Sequence, residues 1–562
     1  MKSIKKTLLL VLATVCALSS VSAFSACDVL NGLKGGNSST VESTSEELSE
    51  SSVEESDLES EDSSVEDSSD SSGEEEPEEW ENNGWVDEET PEKASTGLEF
   101  KGSESGDGYV ITGLGMCEDT DVVIPSSYSG KPVVGIEPYA FWDRYMLTSV
   151  YIPETVRSIG AYAFGNCSVL TKVKIPDSVI SVGESAFYGC VRLQQAYVGA
   201  GVTELGDSVF GYCQNLTSLT VAKENTAFKT KNGNLYTADG TQILQYLLGK
   251  KDTSFVIPDS VTKVANYAFA YATDLEEIKI PDSVTEIGDY AFRNCWGLEK
   301  KLSLPDSIET IGVGAFLNCK NLSNMLVLPN SLKMISESAF QGCESLIGRL
   351  TIPDSVTEIG TNAFYKCKKL TALSLGASVE TIGENAFYNC YNLKGELIIP
   401  DSVKTIKTNA FGWCYGLDSL KLGASVETIG ENAFYNCYKI AGELVLPESV
   451  QSLGKYAFSR CYALTGVKTG NGLKTMEEYA FADCTYITSV EIGESVSFIG
   501  AFAFSECVNI QAVTFAQTDG WKVSLSKDMA TVYNITADAL SDTENAALLL
   551  RGTYVKHYWK KS

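Results

Sequence analysis

The sequence predicts an α/β repeat: a leucine-rich-repeat solenoid with a parallel β-ladder, short helical turns and strand-rich caps at both ends. Three observations carry that expectation. Phenylalanine recurs at 141, 164, 187, 210, 269, 292, 316, 340, 364, 387, 411, 434, 458, 481 and 504, a near-constant period broken by one long jump between Phe210 and Phe269. One phrase, LGASVETIGENAFYNCY, stands unchanged at 375–391 and again at 422–438. Leu, Ile and Val hold set offsets within each period, as a turn requires when it buries its apolar side only by stacking on its neighbours.

The chain opens with an export signal over residues 1–26. Lys2, Lys5 and Lys6 precede an apolar run from Leu8 to Leu18 and then small residues, the layout of a secretory signal, and the run is too short to span a bilayer. Phe24-Ser25-Ala26-Cys27 resembles the lipobox of bacterial lipoproteins, which implies Cys27 as a lipidated first mature residue. Phe24 departs from the usual Leu, and cleavage after Ala23 to give a secreted product is the competing expectation.

Residues 27–97 form a tether. Between 37 and 92 there are 23 acidic residues and no Lys or Arg, against a whole-chain net charge of −31, which leaves about −8 for everything else. So little apolar surface cannot offset the entropy of ordering, and the segment is expected to stay a coil that spaces the solenoid from the membrane. An acidic chain also lacks the basic surface that nucleic acid requires.

Residues 98–135 read as an N-terminal cap, with strand-like runs at 108–111 and 122–124 between Gly and Asp turn signals. A solenoid needs such a cover because its end is an unpaired strand edge. Repeats follow over 136–515, with the consensus I-P-D-S-V-x-x-I-G-x-x-A-F-x-x-C-x-x-L-x-x-L-x-I. L-x-x-L-x-I is the expected strand, closed by Pro, which cannot donate to a ladder. V-x-x-I suits either a second short strand or a tight helical turn. The Gly of I-G is expected to supply a positive φ, and A-F-x-x-C a helical or 3₁₀ turn with Phe and Cys inward. At roughly 4.8 Å per turn, 15 turns make a ladder on the order of 70 Å long.

The phrases IPDSV, IGENAFYNC and LTxVxI resemble the BspA-like leucine-rich repeats of bacterial cell-surface proteins. The resemblance runs from about Pro125 to Phe515 and implies a surface location and adhesion to host or microbial partners. Such repeats identify a scaffold and leave its ligand open.

The long jump holds an insertion at 222–257, with turn dipeptides that suggest a β-hairpin projecting from the ladder. Lys223, Lys229, Lys231, Lys250 and Lys251 make it locally basic. It is either a ligand-contacting protrusion or an enlarged repeat whose extra strands pack alongside. Thirteen cysteines from Cys167 to Cys507 share one repeat position, with Arg144 and Ala272 as exceptions. Stacked thiols with parallel Cβ directions do not meet disulfide geometry, so a reduced ladder is expected.

Beside that ladder lie the candidate ligand-binding residues. Tyr391, Tyr415, Tyr438 and Tyr462 follow the Cys in four successive turns, Trp296 does so earlier, and Tyr388, Trp413 and Tyr435 precede it. Stacked at strand spacing they form an aromatic stripe suited to sugar rings, Arg side chains or protein hot spots. Alternatively, the rings simply pack on one another.

Asp282, Asp306 and Asp354 are turn residues rather than metal ligands on this reading, and no metal or cofactor is assigned. The one histidine, His557, stands outside the repeats, so no Ser-His-Asp or Cys-His pair can be built within them. Residues 516–562 read as a C-terminal cap of a strand, a helix capped by Ser541 or Asp542, and a final aromatic-rich strand. The expectation is therefore a non-enzymatic, lipid-anchored surface scaffold for an extracellular protein or glycan. The alternative is a structural envelope or glycan-scavenging lipoprotein without a host ligand.

Overall fold

The computed structural model describes residues 91–300 and 302–561; the export signal, Cys27 and most of the tether lie outside the described residues. Two sets of parallel strands run along the repeats, the long strands pairing in separate groups of two to four and the short ones in longer runs. The long-strand ladder is built from L-x-x-L-x-I, as where Lys172–Ile175, Gln195–Val198 and Ser218–Val221 pair in register. Val173, Ala196 and Leu219 point into the core from its inner face. The short ladder resolves V-x-x-I as a second strand: Ser158–Ile159, Ser181–Val182 and Glu204–Leu205 pair in parallel. So do the seven two-residue strands from Glu358–Ile359 to Phe498–Ile499.

The A-F-x-x-C segment departs from the expectation of a helical turn. Asn385, Phe387 and Asn389 donate their N–H groups to Thr408, Ala410 and Gly412 of the next turn at 2.8 to 2.9 Å, while Ala386, Tyr388 and Cys390 close back on their own turn. A helix would spend all of these donors internally. Here every second donor ties one turn to the next, and the backbone reverses through left-handed residues at Asn385 (φ 53°) and Asn389 (φ 63°). Asn tolerates that region better than most side chains. The helices among the described residues are a 3₁₀ turn at Leu248–Lys250 and short segments after residue 536. None is long and apolar enough to cross a membrane.

The glycine of I-G also has a different role from the expected one. Gly383 and Gly430 do not take positive φ; their missing Cβ lets the turns nest. A Cβ on Gly430 would stand 2.7 Å from the carbonyl carbon of Lys407 and the nitrogen of Thr408. Because both are backbone atoms, Gly430→Ala must push two turns apart. A loss of about 1–3 kcal/mol is expected for such overpacking, read as a lower urea midpoint at unchanged m-value.

Side chains at polar positions of the repeat add bonds between turns. Ser402 Oγ donates to the Val379 carbonyl, Asp354 and Asp401 accept from Ala377 N and Ala424 N, and Asn392 Nδ2 donates to the Lys368 carbonyl. The thiols are free, and each of the 13 repeat cysteines is buried. Cys390, Cys414 and Cys437 donate S–H to the carbonyls of Phe364, Phe387 and Phe411 in the preceding turn, all at 3.2 Å. Inside them runs the phenylalanine column, with rings from Phe269 to Phe504 stacked at centroid distances of 5.0 to 5.5 Å.

Turns of two lengths differing by one residue alternate along much of the array, and the alternation has a local cause. Gly348, Gly395 and Gly442 each open a long strand at positive φ, and at each the register with the following strand shifts by one residue. The longer turn, called bulged below, enters its strand through this Gly at φ above zero, and the residue that the pairing skips (Thr371, Asp418 or Thr465) lies on the following strand.

The insertion forms the expected hairpin, Phe228–Lys231 against Asn234–Thr237, but the hairpin does not project. Leu235, Tyr236, Ile243, Tyr246 and Leu247 are all buried, so the extra strands pack alongside because each carries apolar residues that water would otherwise meet. At the N-terminal end, Glu99–Gly102 pairs antiparallel with Tyr109–Gly113, which leads into Lys131–Ile136. At the other end Tyr558–Lys561 pairs antiparallel with Phe498–Ile499 and with Trp521–Ser524. Trp521 and Trp559 are buried against Phe515 there. Asp542 caps the helix Thr543–Leu548, accepting from Glu544 N and Asn545 N.

Candidate binding ridge

The residue after each Cys leaves the inward column and begins the return to the long strand, so its side chain stands at the outer corner of the turn. In four successive turns that residue is Tyr. Tyr391 and Tyr415 stack at 6.4 Å, Tyr415 and Tyr438 at 4.7 Å with planes 3° apart, and Tyr438 and Tyr462 at 5.4 Å. Trp413, two positions before Tyr415, leans across it at 5.6 Å and reaches Tyr435 at 6.2 Å. Trp413 is itself left-handed (φ 63°), a costly conformation for a bulky residue. It is held there by the bond from its N–H to the Tyr435 carbonyl at 2.7 Å.

Tyr388 lies apart from the four-ring stack. It pairs with Tyr365 at 5.5 Å, and its ring occupies the notch left by Gly412, where a Cβ would come within 3.0 Å of it. Trp142 over Gly165 and Tyr188 over Gly211 repeat the device: a large ring in one turn is matched by a glycine in the next. Trp296, half-exposed, stands alone in its column with Lys320 at 5.8 Å from its ring.

Sequence reasoning missed Arg460. Its guanidinium sits 5.7 Å from the Tyr435 ring and its Nε is 3.4 Å from Asp483 Oδ2. It occupies the same repeat position as Trp413, directly before the Cys, and that equivalence was the available signal. Tyr456 also joins, edge-on to Tyr435 at 6.3 Å.

The ridge is half-buried, and Tyr391 is its most open member at 37% exposure. Burial, helped by the neighbouring Tyr438 hydroxyl, pushes the Tyr415 phenol up to about 12. Tyr388 and Tyr462 shift the same way, again chiefly through burial. These hydroxyls therefore remain protonated donors at any physiological pH. Because stacked rings turn their faces to one another, the ridge offers a ligand ring edges, phenol hydroxyls and one cation. No metal fits: among the described residues no group of three His, Cys, Asp or Glu is placed to hold one. Cys27 lies outside the described residues.

Comparison with known proteins identifies the repeat. The family described as the BspA type leucine rich repeat region matches residues 134–234, 246–371, 324–441 and 408–520, with six copies. Among solved structures, a leucine-rich repeat protein of Bacteroides ovatus is 24% identical over 75% of this chain and 94% of its own, with a TM-score of 0.42. A leucine-rich cell surface protein of Faecalibacterium prausnitzii is 23% identical over 76% of this chain and 95% of its own, at a TM-score of 0.34. The pneumococcal vaccine antigen PcpA is 19% identical over 60% and 92%, also at 0.34. No curated protein matches the chain.

Proposed function

The chain belongs to the BspA type leucine-rich repeat family, and from that premise we propose that it is a surface-anchored binding scaffold whose aromatic ridge takes an extracellular protein or glycan. One observation carries the reading: Trp413, four stacked tyrosines, Tyr435 and Arg460 gather on adjoining turns, with Tyr388 tucked beside them. Trp, Tyr and Arg are the residue types that dominate binding hot spots. Rings already held by their neighbours lose little rotamer freedom on binding. The scaffold is read as non-enzymatic, since a ridge of phenols without a paired base has nothing to activate a nucleophile.

The test is a binding screen of the whole exported chain against matrix proteins and glycans, followed by the double variant Tyr415→Ser, Tyr438→Ser. The expected result is a selective ligand whose affinity falls about 30-fold or more in the variant, with the circular dichroism spectrum and melting curve retained. Absence of any such ligand, together with co-purification with an envelope complex, would sink the adhesion reading in favour of a structural or scavenging lipoprotein.

Export and anchoring belong to the same proposal. The lipobox-like Phe24-Ser25-Ala26-Cys27 and the acidic tether support a lipid on Cys27, with the tether as spacer. Membrane fractionation of Cys27→Ser is expected to move the protein from membrane to medium. Unchanged membrane association would remove the anchor from the proposal.

A further inference from the structure

The long jump from Phe210 to Phe269 has an internal structure. Tyr246 stands one ordinary period before Phe269. Its ring stacks on Phe269 at 5.3 Å, and its N–H donates to the Ala268 carbonyl at 2.8 Å, in the way that Phe187 donates to Val209. Ile243 then falls in the short-strand position, with Gln242–Gln245 parallel to Lys263–Val264. The period therefore restarts at a truncated turn with Tyr in place of Phe, and the material before it is a hairpin.

That hairpin stands at a break in every continuous feature of the solenoid. The short ladder stops at Glu204–Leu205 and the long ladder at Ser218–Val221. The phenylalanine column ends with Phe187 on Phe210 and resumes with Tyr246 on Phe269. The thiol ladder ends at Cys213, and its next position is Ala272. Buried side chains divide into two clusters, and the division passes through a single strand: Leu235 belongs to the first, Tyr236 to the second.

Leu244 packs against both clusters, and Asn225 Nδ2 ties the start of the insertion to the Gly199 and Val202 carbonyls at 2.8 and 2.9 Å; beyond these, few side chains cross the seam. Asn266 Nδ2 donates to Asp207 Oδ2 at 2.9 Å, Tyr212 meets Tyr271 edge-on at 4.8 Å, and Gly249 N donates to the Leu216 carbonyl at 3.1 Å. A cavity of about 40 Å³ lies among Leu205, Phe210, Leu235, Leu244 and Ala265. Backbone contacts still hold the two sides in one body; the side-chain core is what is divided.

A second discontinuity shows what a lesser break looks like. Between Thr310–Ile311 and Met334–Ile335 the short ladder is also interrupted. There, however, Phe316 stacks on Phe340 at 5.2 Å, Cys343 bonds to the Phe316 carbonyl, and one buried cluster runs through. Among the described residues, only the insertion interrupts strands, rings, thiols and core together.

We infer that the insertion is an internal cap whose buried side chains are shared between its two neighbours, and that it divides the solenoid into two tandem arrays, about 98–222 and 248–561, that unfold as separate cooperative units. The hairpin does for the second array what Glu99–Gly102 and Tyr109–Gly113 do for the first: an antiparallel pair feeds the short ladder and covers its open end. In a stacked array cooperativity is carried by the interface between neighbours, so a poor interface is where it ends.

Hydrogen exchange of the full chain, followed by mass spectrometry across sub-denaturing urea, tests this. Peptides from the first array are expected to share one opening free energy and those from the second another. Val179→Ala should raise the opening constant about tenfold or more in the first array alone, and Val403→Ala in the second alone. Peptides on either side of the 311 to 335 discontinuity should open together. A single opening free energy for all peptides, with each variant moving both arrays, would overturn the division. Separate opening at 311 to 335 would equally overturn it, because strand pairing rather than the core would then set the units.

Discussion

Raising the pH from 9 to 10 is expected to unfold the second array of repeats cooperatively, with little change in stability on the neutral side of pH 8. Burial pushes the Cys213, Cys390, Cys437 and Cys507 thiols up to about 12 from an ordinary 9.0, and Cys367, Cys414, Cys461 and Cys484 move the same way. An unfolded thiol ionises near 9 while the folded one stays protonated, so the unfolded chain loses protons first. The stabilisation is complete below about pH 9 and is lost as pH rises toward 12. Each such thiol contributes about 1.4 kcal/mol of destabilisation per pH unit in that window, so Cys390, Cys437 and Cys507, all in the second array, supply about 4 kcal/mol per unit. That is comparable to the net stability of a domain. Circular dichroism against pH measures the transition. Cys437→Ala, a change that Ala272 already represents in another turn, should lower the slope by one thiol's worth, and an unchanged slope would rule the thiols out as its cause.

Phe411→Ala is expected to be the most damaging single substitution in the array, at about 3–5 kcal/mol. The ring is fully buried and stacks on Phe387 at 5.3 Å and on Phe434 at 5.4 Å. Its removal takes contacts from two turns at once and leaves a void that backbone-tied neighbours cannot close. Because the second array opens as one unit, exchange protection should fall together over 387–434 and 481–504 and stay unchanged over 164–187. Phe411→Leu, which refills part of the space, should recover more than half of the loss. A cost under about 1 kcal/mol in urea titration would show that the column is not the axis of the core.

The parts of this fold that can be read from the sequence are those that burial dictates. Val379, Ile382, Ala386, Phe387 and Cys390 recur because every turn must fill the same inward positions, and all five are buried. What cannot be read depends on the turn next door. A-F-x-x-C has a spacing that fits a helical turn equally well; the deciding N–H groups of Asn385 and Asn389 bond to carbonyls one full turn further along. Gly383 suggests positive φ when its own turn is the only context, whereas its constraint is the backbone of residues 359 and 360. Tyr246 is legible as a period mark ahead of Phe269, but Tyr in place of Phe and the lack of a following Cys conceal it. On the ridge, the positions of Tyr391, Tyr415 and Tyr438 follow from the repeat. The tuck of Tyr388 over Gly412, and the cation that Arg460 adds to Tyr435, become visible only once the turns are stacked.

The bulges at Gly348, Gly395 and Gly442 bear on how such a chain can grow. From Phe340 to Phe481 a plain turn alternates with a bulged one that is longer by a single position. The long strand of each bulged turn pairs with that of the plain turn after it through the register shift, while Leu370–Ser374 is not paired with Gly395–Ile398 nor Leu417–Lys421 with Gly442–Val445. Where longer turns follow one another, from Phe292 to Phe364, the described residues form no long strand between Glu277–Lys279 and Gly348–Thr351, and one isolated bridge, Val327 to Thr351, remains. A copying event that added one bulged turn would extend this weak stretch. One that added a pair would leave the pairing rule intact, and the identical phrases at 375–391 and 422–438 stand one bulged turn plus one plain turn apart. A couple of turns, or a plain turn within a run such as Phe141 to Phe210, can thus be added without losing strand pairing, and related chains are expected to differ by such units rather than by single bulged turns, which a comparison of their repeat lengths checks.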